Sequence, residues 1–502
     1  MKKLTNVLLA LTAGIGAVSA APVALNVAQK VASNFYSQNT AKSVLTSTLA
    51  YTENDASGVP LYYIFNINDK DGWVIITGED ASRPVLGYST NGNWVVPTKG
   101  NNIYFWMQYR KKQLDYIRTN KYTASSDVSA EWSRYINNTT DRNVKKAMVA
   151  MGPLCQSTWD QQYSPYPYNY FCPPNTKGST ATTQSVTGCV ATAMSQIMRY
   201  WSYPAKGTGS HSYCDCTSNQ NTENYGTLSA NFAHTYSWSL MPLTPASTSK
   251  VSTADTDIAR LMSDCGTSVE MDYSPSGSGA YVLSADIGGS NTGAGMAPCA
   301  QYSYVTYFGY YAKSIHGVNY PMKSEQAWID TMENEFSHSR IIEYEGQASD
   351  GGHTWVCDGN DGTTPYNNVH MNWGWSGYDD GFFAVTNLTP DNSMPAFNTA
   401  LAALIGITPP PGSLTSVEDI ATPTGNVVMY PNPNNGNFTV ELSNATEKQQ
   451  LTMFNVLGQS VYTTTIGEGK TQISLNQPAG IYFYRVLSLT GSLVADGKVI
   501  VK

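Results

Sequence analysis

The sequence predicts an α+β protein built in several parts and closed by a small β-sandwich. Three patterns lead there. Strand-like runs and one helical run share the first segment, up to about residue 140. A central block joins an amphipathic helix to an antiparallel meander. The last ~75 residues alternate apolar and polar side chains between turn signals.

Composition sets the bounds. At 502 residues, ~150 per domain gives about three domains. Charged residues make up 13%, against ~25% in an average chain, while aromatic residues reach 12% with 34 Tyr. Tyr, Gly, Asn, Ser and Thr in place of Lys and Glu suit an extracellular protein rich in strands and loops. A net charge of −8 leaves no basic face for a phosphate track, which argues against nucleic acid as a partner. No apolar stretch of ~20 residues follows the N-terminus, so no membrane span is expected.

Taken in chain order, Met1-Lys2-Lys3, the apolar run Leu4 to Ile15 and Ala17-Val18-Ser19-Ala20 read as a secretory signal over 1–20, cleaved after Ala20. Residues 21–143 form a first α+β segment. Its strands are Tyr62 to Ile67 and Gly72 to Gly78, and Phe105, Trp106, Tyr109, Leu114 and Ile117 give Ile103 to Arg118 helical spacing. Asn137 to Asn143, rich in Asn and Thr, is the expected hinge or cleavage zone. The central block is 144–408. Pro409-Pro410-Pro411-Gly412-Ser413 opens a stiff linker over 409–424. Phe438 to Leu442 and Ile481 to Val486 are strands of a sandwich over 425–502.

All eight cysteines lie between residues 155 and 357. In an oxidising compartment several can pair, yet eight cysteines allow 105 connectivities and the sequence selects none. Cys189 stands out. Val190, Ala193, Met194, Ile197 and Trp201 follow it at the spacing of one buried helix face, and Thr187-Gly188 precede it as cap and turn. A cysteine in the first turn of a helix meets free N–H groups and the positive end of the macrodipole, which favour its thiolate. The same N–H groups can hold an oxyanion. A packed or disulfide-bound cysteine is the plainer alternative.

A second segment bears on the first. A strand over Arg340 to Glu345 leads to Gly351-Gly352-His353, at the start of the next strand, and then to Asn372-Trp373-Gly374-Trp375 and Gly381 to Val385. A thiolate nucleophile needs an imidazole to carry its proton, and the imidazole needs an orienting group. His353 and Asn372 suit those roles, with Trp373 and Trp375 excluding water. An ordinary surface histidine and core tryptophans are the competing readings.

Thr187 to Ala193, Gly351-Gly352-His353 and Asn372 to Gly377 together resemble the signature blocks of the streptopain and interpain family of papain-like cysteine proteases. Ser268 to Pro275 is similar to a wall of that family's substrate cleft, which points to Met271 and Tyr273 as substrate-binding residues, with Gly352 and Glu345. Gly72 to Ile76 and Leu86 to Ser89 resemble its propeptide. The likeness covers roughly residues 22 to 408 in three ordered blocks.

The resemblance implies a papain-like fold, with a helical half and an antiparallel β half, behind an inhibitory prodomain over 21–143. It implies a secreted endopeptidase made as a zymogen, acting on proteins and peptides and preferring a hydrophobic residue two positions before the scissile bond. Cys189 maps to the nucleophile, His353 to the general base and acid, and Asn372, Trp373 and Trp375 to supporting positions. The oxyanion glutamine maps to Gln184, five residues before Cys189 rather than the usual six; the Cys189 N–H is the other donor. Glu345 departs from the family, since streptopain has glutamine there. No cofactor or metal is called for.

Tyr430-Pro431-Asn432-Pro433, Asn455 to Gln459 and Pro478 to Tyr482 resemble the C-terminal sorting domain of type IX secretion. That implies passage through the periplasm and release or surface attachment, with the secretion machinery as a partner. The rival function is a surface adhesin or a haem- or protein-binding module that kept the fold and lost catalysis. A thiol-directed active-site reagent separates the two. His211 to Cys216 has metal-ligand residue types but no second pair at zinc spacing, so a disulfide or loop cysteines is the expected reading.

Overall fold

The computed structural model describes residues 21–40, 42–98, 101–139, 150–162, 167–173, 184–216, 223–245, 256–320, 325–348, 351–362, 368–385, 401–413, 426–443, 448–455, 460–488 and 493–502. The secretory signal, most of the expected cleavage zone, most of the linker and residues 456–459 lie outside these. The chain divides into two compact units, Met1–Pro411 and Gly412–Lys502.

The first unit begins with α1 (Leu25–Asn39), which buries Ala28, Val31, Ala32, Phe35 and Tyr36 on one helical stripe. An antiparallel meander follows: β1 (Ser47–Asn54), β2 (Pro60–Ile67), β3 (Gly72–Thr77) and β4 (Val85–Ser89). Then come α2 (Asn102–Thr119) and α3 (Ser126–Ile136), whose first turns are capped by the side chains of Asn101 and Ser125. Next are α4 (Cys189–Trp201), the hairpin of β5 (Ser210–Asp215) and β6 (Gly226–Asn231), α5 (Thr256–Ser268), α6 (Ala300–Thr306), β7 (His316–Asn319) and α7 (Glu325–Ser337). The last strands of the unit are β8 (Ile342–Ala348), β9 (Gly351–Asn360), β10 (Val369–Asn372), β11 (Gly381–Phe383) and β12 (Leu401–Ile405).

The α+β segment expected at the N-terminus is not a separate sheet. One ten-stranded sheet runs β1-β2-β3-β4-β11-β10-β9-β8-β12-β7. Its joint is the pairing of β4 with β11, Tyr88 opposite Phe382 and Gly87 opposite Phe383. The Tyr88 and Phe382 rings stack with centroids 5.2 Å apart. Glycine is required at position 87, because a Cβ there would stand 2.8 Å from the Phe383 ring and 3.0 Å from the Phe382 carbonyl.

Strand alternation then decides what each face of the sheet touches. Tyr63, Phe65, Val74, Ile76 and Val85 pack against α1 and α3. On the opposite face, Ile64, Trp73, Ile75 and Leu86 join Tyr344, Trp355, Cys357, Met371, Trp373 and Phe383 in one core with α2 and α7. So α2 lies across the joint and contacts both parts of the sheet. Ile341, Val356, Ala402 and Leu404 belong to a third core with α4 and α5.

The second unit is the expected sandwich. β13 (Asn426–Tyr430), β14 (Asn437–Ser443) and β17 (Gly469–Ser474) form one sheet. β15 (Gln449–Phe454), β16 (Ser460–Ile466), β18 (Gly480–Ser488) and β19 (Leu493–Val501) form the other. Alternate residues such as Phe438, Val440, Leu442, Leu451, Met453 and Val499 supply its core.

Gly87→Val should strain the joint of the long sheet. Overpacking at such a site costs roughly 1–3 kcal/mol, read as a lower unfolding midpoint in calorimetry of the full chain.

Candidate active site

Cys189 is the first residue of α4, and Gly188 caps the helix at φ 86°. No side-chained residue fits there. A Cβ would meet the Met271 side chain at 2.7 Å and the Ser278 carbonyl at 3.0 Å. Met271 therefore packs against the residue before the cysteine, but it is fully buried and exposes no surface to a cleft. Tyr273 is buried as well, and it reaches toward Cys172 and Gly266.

Cys189 is 9% exposed. The backbone N–H groups of Thr354, Val190 and Cys189 itself favour its thiolate, but burial outweighs them, and Glu343 adds like charge. The thiol is thus held above its ordinary range. The expectation from the helix terminus alone was the reverse; it omitted the desolvation that this packing imposes.

His353 lies next in sequence to Thr354, so its side chain projects from the other face of β9. It shares that face with Trp355 and Cys357, as the even spacing requires. Its ring is half-buried, 5.9 Å from the Phe105 ring of α2. Phe105 also lies 6.1 Å from Trp355. Gly346, opposite His353 on β8, leaves the space that Phe105 fills: a Cβ there would approach the ring to 2.4 Å. One turn earlier, Asn102 donates both amide hydrogens of its side chain, to the carbonyls of Thr354 and Trp373, each at 2.8 Å. The start of α2 is a clamp. It ties the two strands that carry the expected site and packs Phe105 against the His353 ring.

The supporting residues divide. Trp373 is fully buried between Trp355 and Phe383, and its indole donates to the Asp379 carbonyl at 3.1 Å. Trp375 is half-buried at the edge of the same core, and its indole N–H has no acceptor among the described residues. Asn372 does not orient His353 here. It donates to the Ser157 carbonyl at 2.7 Å and accepts from Gln196 and from the Gly374 N–H, both at 3.1 Å. Gln184 does not aim at the sulfur either. Its amide donates to the Tyr170 and Cys172 carbonyls, 2.7 Å each, so it braces a loop rather than an oxyanion. Gly352 is exposed beside His353, and Glu345 is buried opposite Thr354.

Gln196 escaped the sequence reading. Two turns after Cys189, it bonds Asn372 and also accepts from Ser157 and the Trp159 N–H, tying α4 to the strand end. A polar residue on the buried face of an apolar helix was the available signal. His370 is a buried structural group. Burial alone would depress its pKa, but Asp358, 2.6 Å away, raises it above the usual histidine range. Cys214 and Cys216 form a disulfide, and the six other cysteines are free and buried.

A cysteine at a helix start, met by the backbone of the strand that carries His353 and covered by an N-terminal helix, is an arrangement that suits the precursor of a cysteine peptidase. The chain belongs to the Peptidase C10 family, whose model matches residues 159–383. Residues 20–114 match the Spi protease inhibitor family, and 428–502 match the secretion system C-terminal sorting domain. Streptopain of Streptococcus pyogenes is 30% identical over 368 residues, covering 69% of this chain and 80% of streptopain. The thiol protease/hemagglutinin PrtT of Porphyromonas gingivalis is 26% identical over 78% of the chain, which spans only 42% of PrtT's length. A fragment of prointerpain A from Prevotella intermedia superposes with a TM-score of 0.54 at 26% identity, over 73% of this chain and all of that fragment. The sorting domain marks type IX secretion, to the exterior or the cell surface. Among the described residues no helix is long and apolar enough to cross a membrane.

Two outcomes follow from this geometry. Cys189 in the precursor should alkylate more slowly at neutral pH than after removal of the N-terminal segment, since burial raises its pKa and depletes the thiolate. The rate should climb as pH rises, and Asn102→Ala with Phe105→Ala should speed it. His370→Gln should destabilise the fold. The His370–Asp358 contribution is full below the unfolded histidine pKa of ~6.5 and is lost as pH rises through the higher folded value. Denaturant melts of both proteins should therefore converge with increasing pH.

Proposed function

We propose that the chain is a secreted zymogen whose mature form hydrolyses internal peptide bonds of proteins through Cys189 and His353. One observation carries this. The Thr354 N–H contacts the Cys189 sulfur, so the adjoining residue, His353, lies next to the residue that meets the thiol, with Phe105 of α2 packed against its ring. Departure of α2 frees the ring, and a turn of the strand end at Gly351-Gly352 brings it to the sulfur. The thiolate–imidazolium pair then forms.

Attack of the thiolate on a substrate carbonyl gives a tetrahedral oxyanion, held by the Cys189 N–H at the start of α4. His353 protonates the leaving amine, and an acyl-enzyme remains. The same imidazole then takes a proton from water, whose oxygen attacks the thioester and restores the thiol. Trp373 and Trp375 shield the site from water. The prodomain over 21–143 is the intramolecular inhibitor, and cleavage in the segment from Asn137 to Val144 separates it from the protease.

Cys189→Ala should abolish peptide hydrolysis and labelling by an epoxysuccinyl thiol reagent. His353→Ala should lose ~10²–10⁴-fold in kcat/KM, the usual worth of general acid–base help. His370→Ala should change kcat/KM far less. Activity retained by the Cys189 variant contradicts the assignment. Folded residues 22–143, added in trans, should inhibit the mature enzyme at micromolar concentration; no inhibition at tens of micromolar means the clamp does not act by binding alone.

A further inference from the structure

The N-terminal strands meet the protease part at a second place besides the β4–β11 joint. Just beyond β4, Trp94 packs edge-on against Trp73, and Trp73 in turn meets the Phe383 ring. That stacking sets the next residue, Val95, over the turn between β10 and β11. Its backbone N–H donates to Asp379 Oδ1 at 2.9 Å. The two residues are 284 positions apart, so the bond exists only while the N-terminal segment is seated. Asp379 is 5% exposed, in a turn closed by the bond from the Trp373 indole to its carbonyl.

The charges around that carboxyl group come from the protease part. Asp380 is next in the chain, and its Oδ1 accepts the Trp373 N–H at 2.9 Å. His370 of β10 and Asp358 of β9, paired at 2.6 Å, act in turn on Asp380. From the N-terminal side Trp94 and Val95 bring an indole and an amide, and no charged side chain of that segment acts on Asp379. Asp160 touches the same turn only through the Ser376 hydroxyl. The other acid at the joint, Asp361, faces Tyr88 but is also held by two bonds from Asn368 of its own part. Seating of the segment thus takes Asp379 out of water beside a like charge, with one N–H in return. Resting on the reading of residues 21–143 as the inhibitory segment, we propose that Asp379 makes release of that segment pH-dependent: the seated form holds a proton on Asp379, and release passes it to water.

The sign follows from the burial. Removing water disfavours a carboxylate, and a second carboxylate beside it disfavours it further, so the seated form prefers the neutral acid. Burial pushes Asp379 up to about 7, against the Val95 N–H and with help from Asp380. Hydrated after release, it returns toward the ordinary ~3.9. A group raised in the closed form binds its proton more tightly there. Its contribution to closure is full below ~3.9 and is lost as pH rises through about 7. Release is therefore favoured toward neutral pH. Burial pushes Asp380 to about 7 too, but its bond is to Trp373 of its own part, and a change at Asp379 leaves it in place.

The test uses the full chain with Cys189→Ala, which cannot cut itself, and a specific-protease sequence inserted between Thr140 and Asp141. Cutting there leaves the seated complex, with neither part folded separately. Dissociation of the cut segment on dilution is then followed by size-exclusion chromatography from about pH 5.5 to about pH 7.5. The dissociation constant should rise at least ~10-fold across that range. Asp379→Asn keeps the acceptor oxygen but takes up no proton, so it should flatten the dependence near the acid value. Asp361→Asn should keep the rise. A constant that stays flat or falls with pH overturns the proposal, as does an unchanged rise in Asp379→Asn or its loss in Asp361→Asn. The readout is binding, so it stands apart from the protease reading, which fails separately if the mature Cys189→Ala protein still hydrolyses peptides.

Discussion

The contact on which the precursor depends is the first turn of α2 seated between β9 and the end of β10. Asn102 satisfies two carbonyls there, and Phe105 fills the space left by Gly346. Deeper along the same helix, Arg110 is fully buried. It donates to the Ala384 carbonyl just beyond β11 and to Gln113, and stacks on Trp106 and Tyr109. Hydrogen bonds to a charged group are worth roughly 1.5–3 kcal/mol each, and leaving such a cation unmet inside a core costs more. The helix therefore seats wholly or not at all, and the histidine is held or released with it.

This arrangement makes the ionisation of Cys189 conditional. A helix N-terminus stabilises a nearby anion by ~0.3–1 kcal/mol, reaching ~2 in favourable settings. Full burial can move a pKa by 3–5 units, which is about 4–7 kcal/mol. In the precursor burial prevails and Cys189 stays a thiol. Opening the cleft admits water and an imidazolium together, and both act in the direction of the helix terminus. A cysteine that is unreactive while α2 is seated can then react without any change in α4.

Much of this was legible in the residues themselves. The apolar stripe after Cys189, the strands of the meander and the alternation in the last segment all reflect local periodicity, and each element stands where that periodicity put it. What could not be read were relations between distant segments. That β4 would pair with β11, or that Asn102 would bond a carbonyl 252 positions away, has no local signature. Gln184 and Asn372 were matched by spacing, which fixes a place on the chain but not the direction of an amide. In the fold their hydrogen bonds go to loop and helix partners that spacing does not reveal.

Cutting the chain after α3 does not by itself release the cleft, because the joint between β4 and β11 survives the cut. Once β4 leaves, β11 becomes a free edge flanked by Phe382 and Phe383, the kind of edge that recruits other strands. The N-terminal strands cover that edge for as long as they stay. While tethered, they act at an effective concentration of ~mM, so even modest affinity keeps the site closed. After cleavage the advantage falls to whatever concentration the surroundings provide, so dilution favours dissociation of a cut segment. The same sheet that completes the fold of the precursor thus sets the conditions under which the enzyme becomes active.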